Sequence, residues 1–287
     1  MSRTAARPTT GTVTSADGTT IGYRQVGSGP GAVLMHGGMQ ASQHYLRLAA
    51  ALCEQFTVYV PDRRGRGMSG PHGAGYSIAK ECQDLAALLD KTGARRVWGH
   101  SSGGLIALHA ALTRPDIEKL AVYEPALSMF GAIGTDWLPR FERELDQGRP
   151  ADAVVTFTKG TKASRAITLM PRRLLVPLLE RYLRRESRTR RPDEDSMAAL
   201  IHTMRYDGRI FVEMATSAGF AELDTRTDVL VMNGTRTMAP LRAAADALLR
   251  TLPHAKRVEF PGIGHDGPAT GDPERVGEEL RAFFSRR

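Results

Sequence analysis

Residues 97–104 read VWGHSSGG. An apolar strand-like run ends in G-x-S-x-G (Gly99, His100, Ser101, Ser102, Gly103), and the helix-like LIALHAAL follows at once. A strand, a sharp turn carrying serine and a helix are what a nucleophile elbow requires. A serine at such a tip is held at strained backbone angles, which cost about 1–3 kcal/mol. Glycines two residues to either side remove Cβ atoms that would clash in the turn. The helix start aims free N–H groups, and the positive end of its dipole, at charge developing near Ser101. A plain small-residue helix start is the bland alternative; the apolar strand before it argues against that.

On both sides of this stretch, short β-type runs alternate with longer helical ones, the pattern of an α/β domain around a largely parallel sheet. TTIGYRQVG (19–27), GAVLM (31–35), TVYVPD (57–62), RRVWGH (95–100), KLAVYEP (119–125), DVLVMNG (228–234) and AKRVEFPG (255–262) read as strands. Helical spacing marks 41–56, 76–93, 238–252 and 273–284, with Gly93 ending the second. Between Pro125 and about Asp228 the alternation stops. That segment is helix-like, rich in methionine and leucine, and contains ERYLRRESRTRRPDED. It reads as helices inserted over one end of the sheet, the arginines being their solvated face. An acidic ligand or a membrane surface is the sharper reading of those arginines, supported by composition alone.

A chain of 287 residues with 41% hydrophobic and 24% charged residues suits one soluble domain, or one domain with an insertion. No run approaches a membrane span. The first 20 residues lack an apolar signal region, so a cytoplasmic protein with a short frayed start is expected. Cys53 and Cys82 match no metal or redox spacing and read as reduced thiols. The net charge of +8 accompanies only 6% aromatics. No nucleic-acid signature stands beside the basic residues, and a GC-rich genome also favours arginine. The glycines of GSGPG (27–31) precede a strand rather than open a helix, so they read as a loop and not a phosphate site. The expected partner is a small-molecule substrate, with no cofactor, metal, nucleic acid or membrane; monomer and homodimer stay equally open.

Two further turns carry chemistry. MHGGMQAS (35–42) is a strand end followed by glycines. Acyl transfer needs two N–H donors at the oxyanion, each worth about 3–4 kcal/mol of transition-state stabilisation. Ser102 N–H is one natural donor; Gly38 N–H is the best candidate for the other, with Met39 close behind. FPGIGHDGP (260–268) places His265 in a glycine-rich loop beyond the last strand, unlike the other seven histidines. A neutral imidazole beside Ser101 can take its proton and return it to the leaving group. His36 and His100 sit in the turns and are read as orienting backbone; His109 and His202 are read as packing or surface residues.

With HGG at 36–38, PDRRGRGMSG at 61–70, GHSSGG at 99–104 and GHDGP at 264–268, the chain resembles the α/β-hydrolase fold superfamily over nearly its whole length. The resemblance implies an eight-stranded, mostly parallel sheet flanked by helices, with a helical cap after the sixth strand. The core domain would be 1–125 and 223–287, the cap 126–222. It also implies that Asp62, Arg63 and Arg64 form a structural turn.

Most members of that superfamily carry the triad acid after the seventh strand, in a turn like G-x-x-D. Here the turn is Gly234, Thr235, Arg236, Thr237, and a threonine hydroxyl cannot hold charge opposite an imidazolium. Asp224 and Asp228 precede the strand and lie at the wrong end of the sheet. Asp266, next to the histidine, would have to fold back awkwardly. Glu124 stands at the carboxyl end of the neighbouring sixth strand, where some branches, certain haloalkane dehalogenases among them, place their acid. Glu124 is therefore the expected acid, with Asp266 a distant second and a site that needs no acid third.

The resulting expectation is a serine hydrolase cleaving a carboxylic ester, lactone or thioester through an acyl-enzyme on Ser101, with His265 as base and Glu124 as support. Met129, Phe130, Trp137, Met170 and Met214 are candidates for a substrate pocket under the cap. The rival reading is a non-hydrolytic ligand-binding or lyase-like protein with a degenerate triad.

Overall fold

The computed structural model describes residues 8–128, 134–162, 165–217, 219–223 and 226–286. Its strands are β1 (Thr9–Thr14), β2 (Thr20–Val26), β3 (Gly31–Met35), β4 (Thr57–Pro61), β5 (Arg96–His100), β6 (Lys119–Tyr123), β7 (Asp228–Gly234) and β8 (Lys256–Phe260). They form one sheet in the order β1-β2-β4-β3-β5-β6-β7-β8. β2 pairs antiparallel with β1 and β4, and every later neighbour is parallel.

The central strands are apolar almost throughout because both faces are covered. Val97, Leu120, Val122, Val229 and Val231 face one core, whereas Trp98, Ala121, Tyr123, Leu230 and Met232 face the other. The start of the chain differs from expectation: Thr9–Thr14 pairs with Thr20–Gln25 as β1. An edge strand can leave its outer side in water, and β-branched threonine suits the pleat without an apolar run. An apolar criterion therefore passes over it.

Helix α1 (Leu46–Leu52) follows a 3-10 turn at Ser42–Tyr45; α2 is Ile78–Thr92 and α3 is Ser102–Ala111. Gly93 stops α2 at φ 65°, its N–H on Leu89 O at 2.8 Å. Among the described residues, five helices lie between β6 and β7: α4 (Leu138–Asp146), α5 (Pro150–Gly160), α6 (Arg165–Leu169), α7 (Arg172–Thr189) and α8 (Met197–Met214). They are called the cap below. Then come α9 (Ala239–Thr251) and α10 (Pro273–Ser285). Leu85, Leu105 and Leu248 place α2, α3 and α9 against one core; Leu48 and Leu280 place α1 and α10 against the other. The arginines of α7 are mostly in solvent, as an amphipathic cap helix would have them. Among the described residues, no helix is long and apolar enough to cross a membrane. Met129, Phe130 and Asp224 lie outside the described residues.

Candidate active site

Ser101 joins β5 to α3 at φ 53° and ψ −120°. A side chain rarely adopts this conformation, and backbone bonds on both sides hold it there. Ser101 N–H donates to Tyr123 O at 3.0 Å, and Ser101 O accepts from Gly104, Leu105 and Ala126 N–H at 3.0–3.1 Å. Gly103 is required for contact: a Cβ there would sit 2.4 Å from His36 O and 2.5 Å from Met35 O. The end of β3 and the start of α3 therefore touch through backbone.

One strand over, Glu124 takes φ 45° at the end of β6, and its N–H donates to Met232 O at 2.9 Å. Its carboxylate is fully buried. Oε2 lies 2.8 Å from His265 Nδ1, and Oε1 accepts from Gly234 N–H at 2.9 Å. A carboxylate at Nδ1 fixes that nitrogen as the protonated one and leaves Nε2 free to accept. The turn that lacks an acid has a different use here. Arg236 N–H donates to Ile263 O at 2.9 Å, and Gly262 N–H donates to Thr235 Oγ1 at 2.9 Å. Tyr123 OH adds a bond to Gly264 O at 2.8 Å. Residues 234–237 thus hold the loop that carries His265. Gly234 permits this, since a Cβ there would lie 2.1 Å from Ile263 O. Asp266, the alternative acid, has an exposed carboxylate at the cavity.

Ser101, His265, Gly38, Met39 and Ser102 line one cavity of about 200 Å³. Among the described residues no hydrogen bond joins Ser101 Oγ to His265 Nε2; such contacts commonly tighten only with substrate bound. No acceptor is paired with the N–H of Gly38, Met39 or Ser102 among the described residues. Met39, at φ 53°, completes the turn. His100, beneath His265 with ring centroids 4.5 Å apart, has Nδ1 2.5 Å from Tyr45 OH. Burial, reinforced by His265, holds its imidazole well below the usual histidine range, so it stays neutral.

Residues 32–279 match the model of the alpha/beta hydrolase family. The chain belongs to that family. Pimeloyl-[acyl-carrier protein] methyl ester esterase of Xanthomonas oryzae pv. oryzae is 28% identical over 272 residues, covering 91% of this chain and 97% of that protein. An alpha/beta hydrolase of Sphaerobacter thermophilus is 32% identical with a TM-score of 0.77, over 96% of this chain and all of the other. The enol-lactonase of Burkholderia xenovorans, at 21% identity and a TM-score of 0.66, shares the fold over 96% of this chain and all of its own. The chain is accordingly a hydrolase.

In this alpha/beta hydrolase the cap wall differs from the one expected. Phe157 of α5, Met204 and Phe211 of α8, and Met238, Pro240 and Leu241 at the start of α9 line the cavity. Trp137, Met170 and Met214 do not. Trp137 is core, edge-on to Phe141 and Phe157. Met214 is buried near the end of α8, and Met170 lies at the surface between α6 and α7. Apolar side chains on a helix can face the core, the cavity or water, and which face does so is set by helix packing. Composition could not make that choice.

The turn after β4 is structural as expected: Asp62 accepts from Ser42 N–H at 2.7 Å and Met68 N–H at 3.1 Å. Arg63 goes further. Its N–H donates to His36 Nε2 at 3.0 Å, and its Nη1 donates to Ser102 Oγ at 3.0 Å and to Asp207 Oδ1 of α8 at 2.9 Å. Sequence reading passed over Asp207. The available signal was a carboxylate on the apolar face of α8, three residues after Met204 and four before Phe211.

Proposed function

We propose that the protein hydrolyses carboxylic esters of small apolar substrates through an acyl-enzyme on Ser101. The observation that carries this reading is the contact between His265 Nδ1 and the buried Glu124 carboxylate behind it, with His265 lining the same cavity as Ser101. His265 Nε2 takes the proton of Ser101 Oγ as the oxygen attacks the ester carbonyl carbon. The carbonyl oxygen gains negative charge facing Gly38 and Ser102 N–H, which need no reorganisation to receive it. Glu124 holds the ring in the correct tautomer and stabilises the imidazolium. That proton then goes to the departing alkoxide. In the second half, His265 takes a proton from water, hydroxide adds to the acyl carbon, and Ser101 leaves with the proton.

An ester is supported by the relatives named as methyl ester esterases; a lactone or thioester would follow the same steps. Small and apolar are supported by the cavity: half of its lining residues are aliphatic, aromatic or thioether, and among the described residues no lysine or arginine lines it to neutralise an anionic substrate.

A fluorophosphonate probe tests the reading. It should label the wild type and fail to label Ser101→Ala, and p-nitrophenyl butyrate should be cleaved only by the former. A folded wild type that takes no label and cleaves no ester contradicts it and favours a binding protein.

A further inference from the structure

Beneath the oxyanion turn, and outside the triad, four charged side chains are buried together: Arg63, Arg66, Glu81 and Asp207, none more than 2% exposed. Two positive and two negative charges balance, which lets them stay ionised away from water. Three of them belong to the sheet domain; Asp207 alone comes from the cap. Arg63 uses every donor it has. Nε and Nη2 grip Glu81 at 3.1 and 2.8 Å, Nη2 also reaches Tyr76 OH at 3.4 Å, and Nη1 divides between Asp207 Oδ1 and Ser102 Oγ. Arg66 Nη2 meets the other Asp207 oxygen at 2.6 Å.

We propose that Asp207 is a positioning residue for the oxyanion pocket, reaching both of its halves from the cap. This rests on the hydrolase reading above. On one side, Asp207 orients Arg63, and Arg63 orients Ser102, whose N–H is one oxyanion donor. On the other, Asp207 and its neighbour Met204 back the glycine turn directly. A Cβ at Gly38 would lie 3.4 Å from Asp207 Oδ2 and 3.0 Å from Met204 Sδ. Arg63 N–H also holds His36 at the base of the same turn. A planar guanidinium with five occupied donors has one orientation. Removing the Asp207 carboxylate leaves one Nη1 donor of Arg63 and Nη2 of Arg66 without an acceptor, so the two guanidinium groups shift to find others, moving the Ser102 contact and opening the space behind Gly38. Burial alone would raise the Asp207 pKa; the Arg63 and Arg66 charges outweigh it and hold the carboxyl below its ordinary range. It is ionised at neutral pH.

The test uses the full chain, with Asp207→Asn and with Asp207→Leu/Arg66→Met, which keeps the buried cluster neutral if the single variant folds poorly. A merely structural rivet would change stability and leave a folded variant's chemistry intact. Positioning predicts that kcat on p-nitrophenyl butyrate falls about a hundredfold while KM barely moves. Affinity for phenylboronic acid, whose adduct mimics the oxyanion, should fall in step. Amide exchange at Gly38 and Ser102 should accelerate. Folded variants with wild-type kcat and boronate affinity overturn the proposal. If the wild type itself neither hydrolyses nor labels, the hydrolase reading fails, and amide exchange alone decides: acceleration at Gly38 and Ser102 supports positioning, and no change overturns it.

Discussion

At the carboxyl rim of the sheet, Ser101 and Glu124 are fixed by main-chain bonds between adjacent strand ends, each held at positive φ. In the cap, Met204 and Phe211 reach the same cavity only through the way α8 packs. Rim residues should therefore be expendable for folding and indispensable for turnover, whereas cap-wall residues should matter to stability and to substrate choice. The largest expected effect tests the first half. His265→Ala should cut ester turnover by about 10⁴-fold or more while the circular dichroism spectrum stays that of the wild type. A folded variant with measurable wild-type turnover would break the comparison.

Phe211→Ala addresses the second half. Phe211 is 4% exposed, so its loss should cost about 3–5 kcal/mol in urea unfolding. The vacated space should lower KM for esters with a longer acyl chain relative to butyrate. Unchanged chain-length preference would mean that α8 does not form the acyl wall.

Smaller in size is a pH effect spread over the rim and the turn after β4. Burial is the largest influence holding His36, His72 and His100 neutral, His72 down to about 3. The unfolded chain binds those protons near pH 6.5 and the folded chain does not. Their contribution to stability is therefore complete above pH 6.5 and lost as pH falls below it, by about 1.4 kcal/mol per pH unit for each histidine. Urea midpoints at pH 8 and pH 5.5 should differ less for His72→Gln than for the wild type; an equal difference would contradict the assignment.

The smallest effect sharpens the boundary of the cap wall. Met170 is 37% exposed, so Met170→Lys should shift stability by less than about 0.5 kcal/mol and leave KM unchanged. A raised KM would return Met170 to the pocket.

The same contrast explains what could be read from the sequence. Gly99, Ser101 and Gly103 announce their geometry because strand, turn and helix are local. His265 and Glu124 became legible through their positions after particular strands, since a parallel sheet gathers its strand ends at one rim. β1 escaped because an exposed edge needs no apolar run. Asp207 and the cap wall escaped because helical periodicity gives a face without saying what that face meets. The Gly234–Thr237 turn carries no carboxylate, and its grip on the His265 loop, through Arg236 N–H and Thr235 Oγ1, has no signature that a pattern of residue types would show apart from Gly234 itself.

Turnover of p-nitrophenyl butyrate by Glu124→Gln is the most direct test of the account. The amide can still hold the buried position beside Gly234 N–H, but it carries no charge to orient and stabilise His265. With the fold intact by circular dichroism, kcat should drop by about 10³–10⁴-fold, and fluorophosphonate labelling of Ser101 should slow with it. A folded Glu124→Gln protein turning over at close to the wild-type rate would remove the β6 carboxylate from the triad and contradict the account.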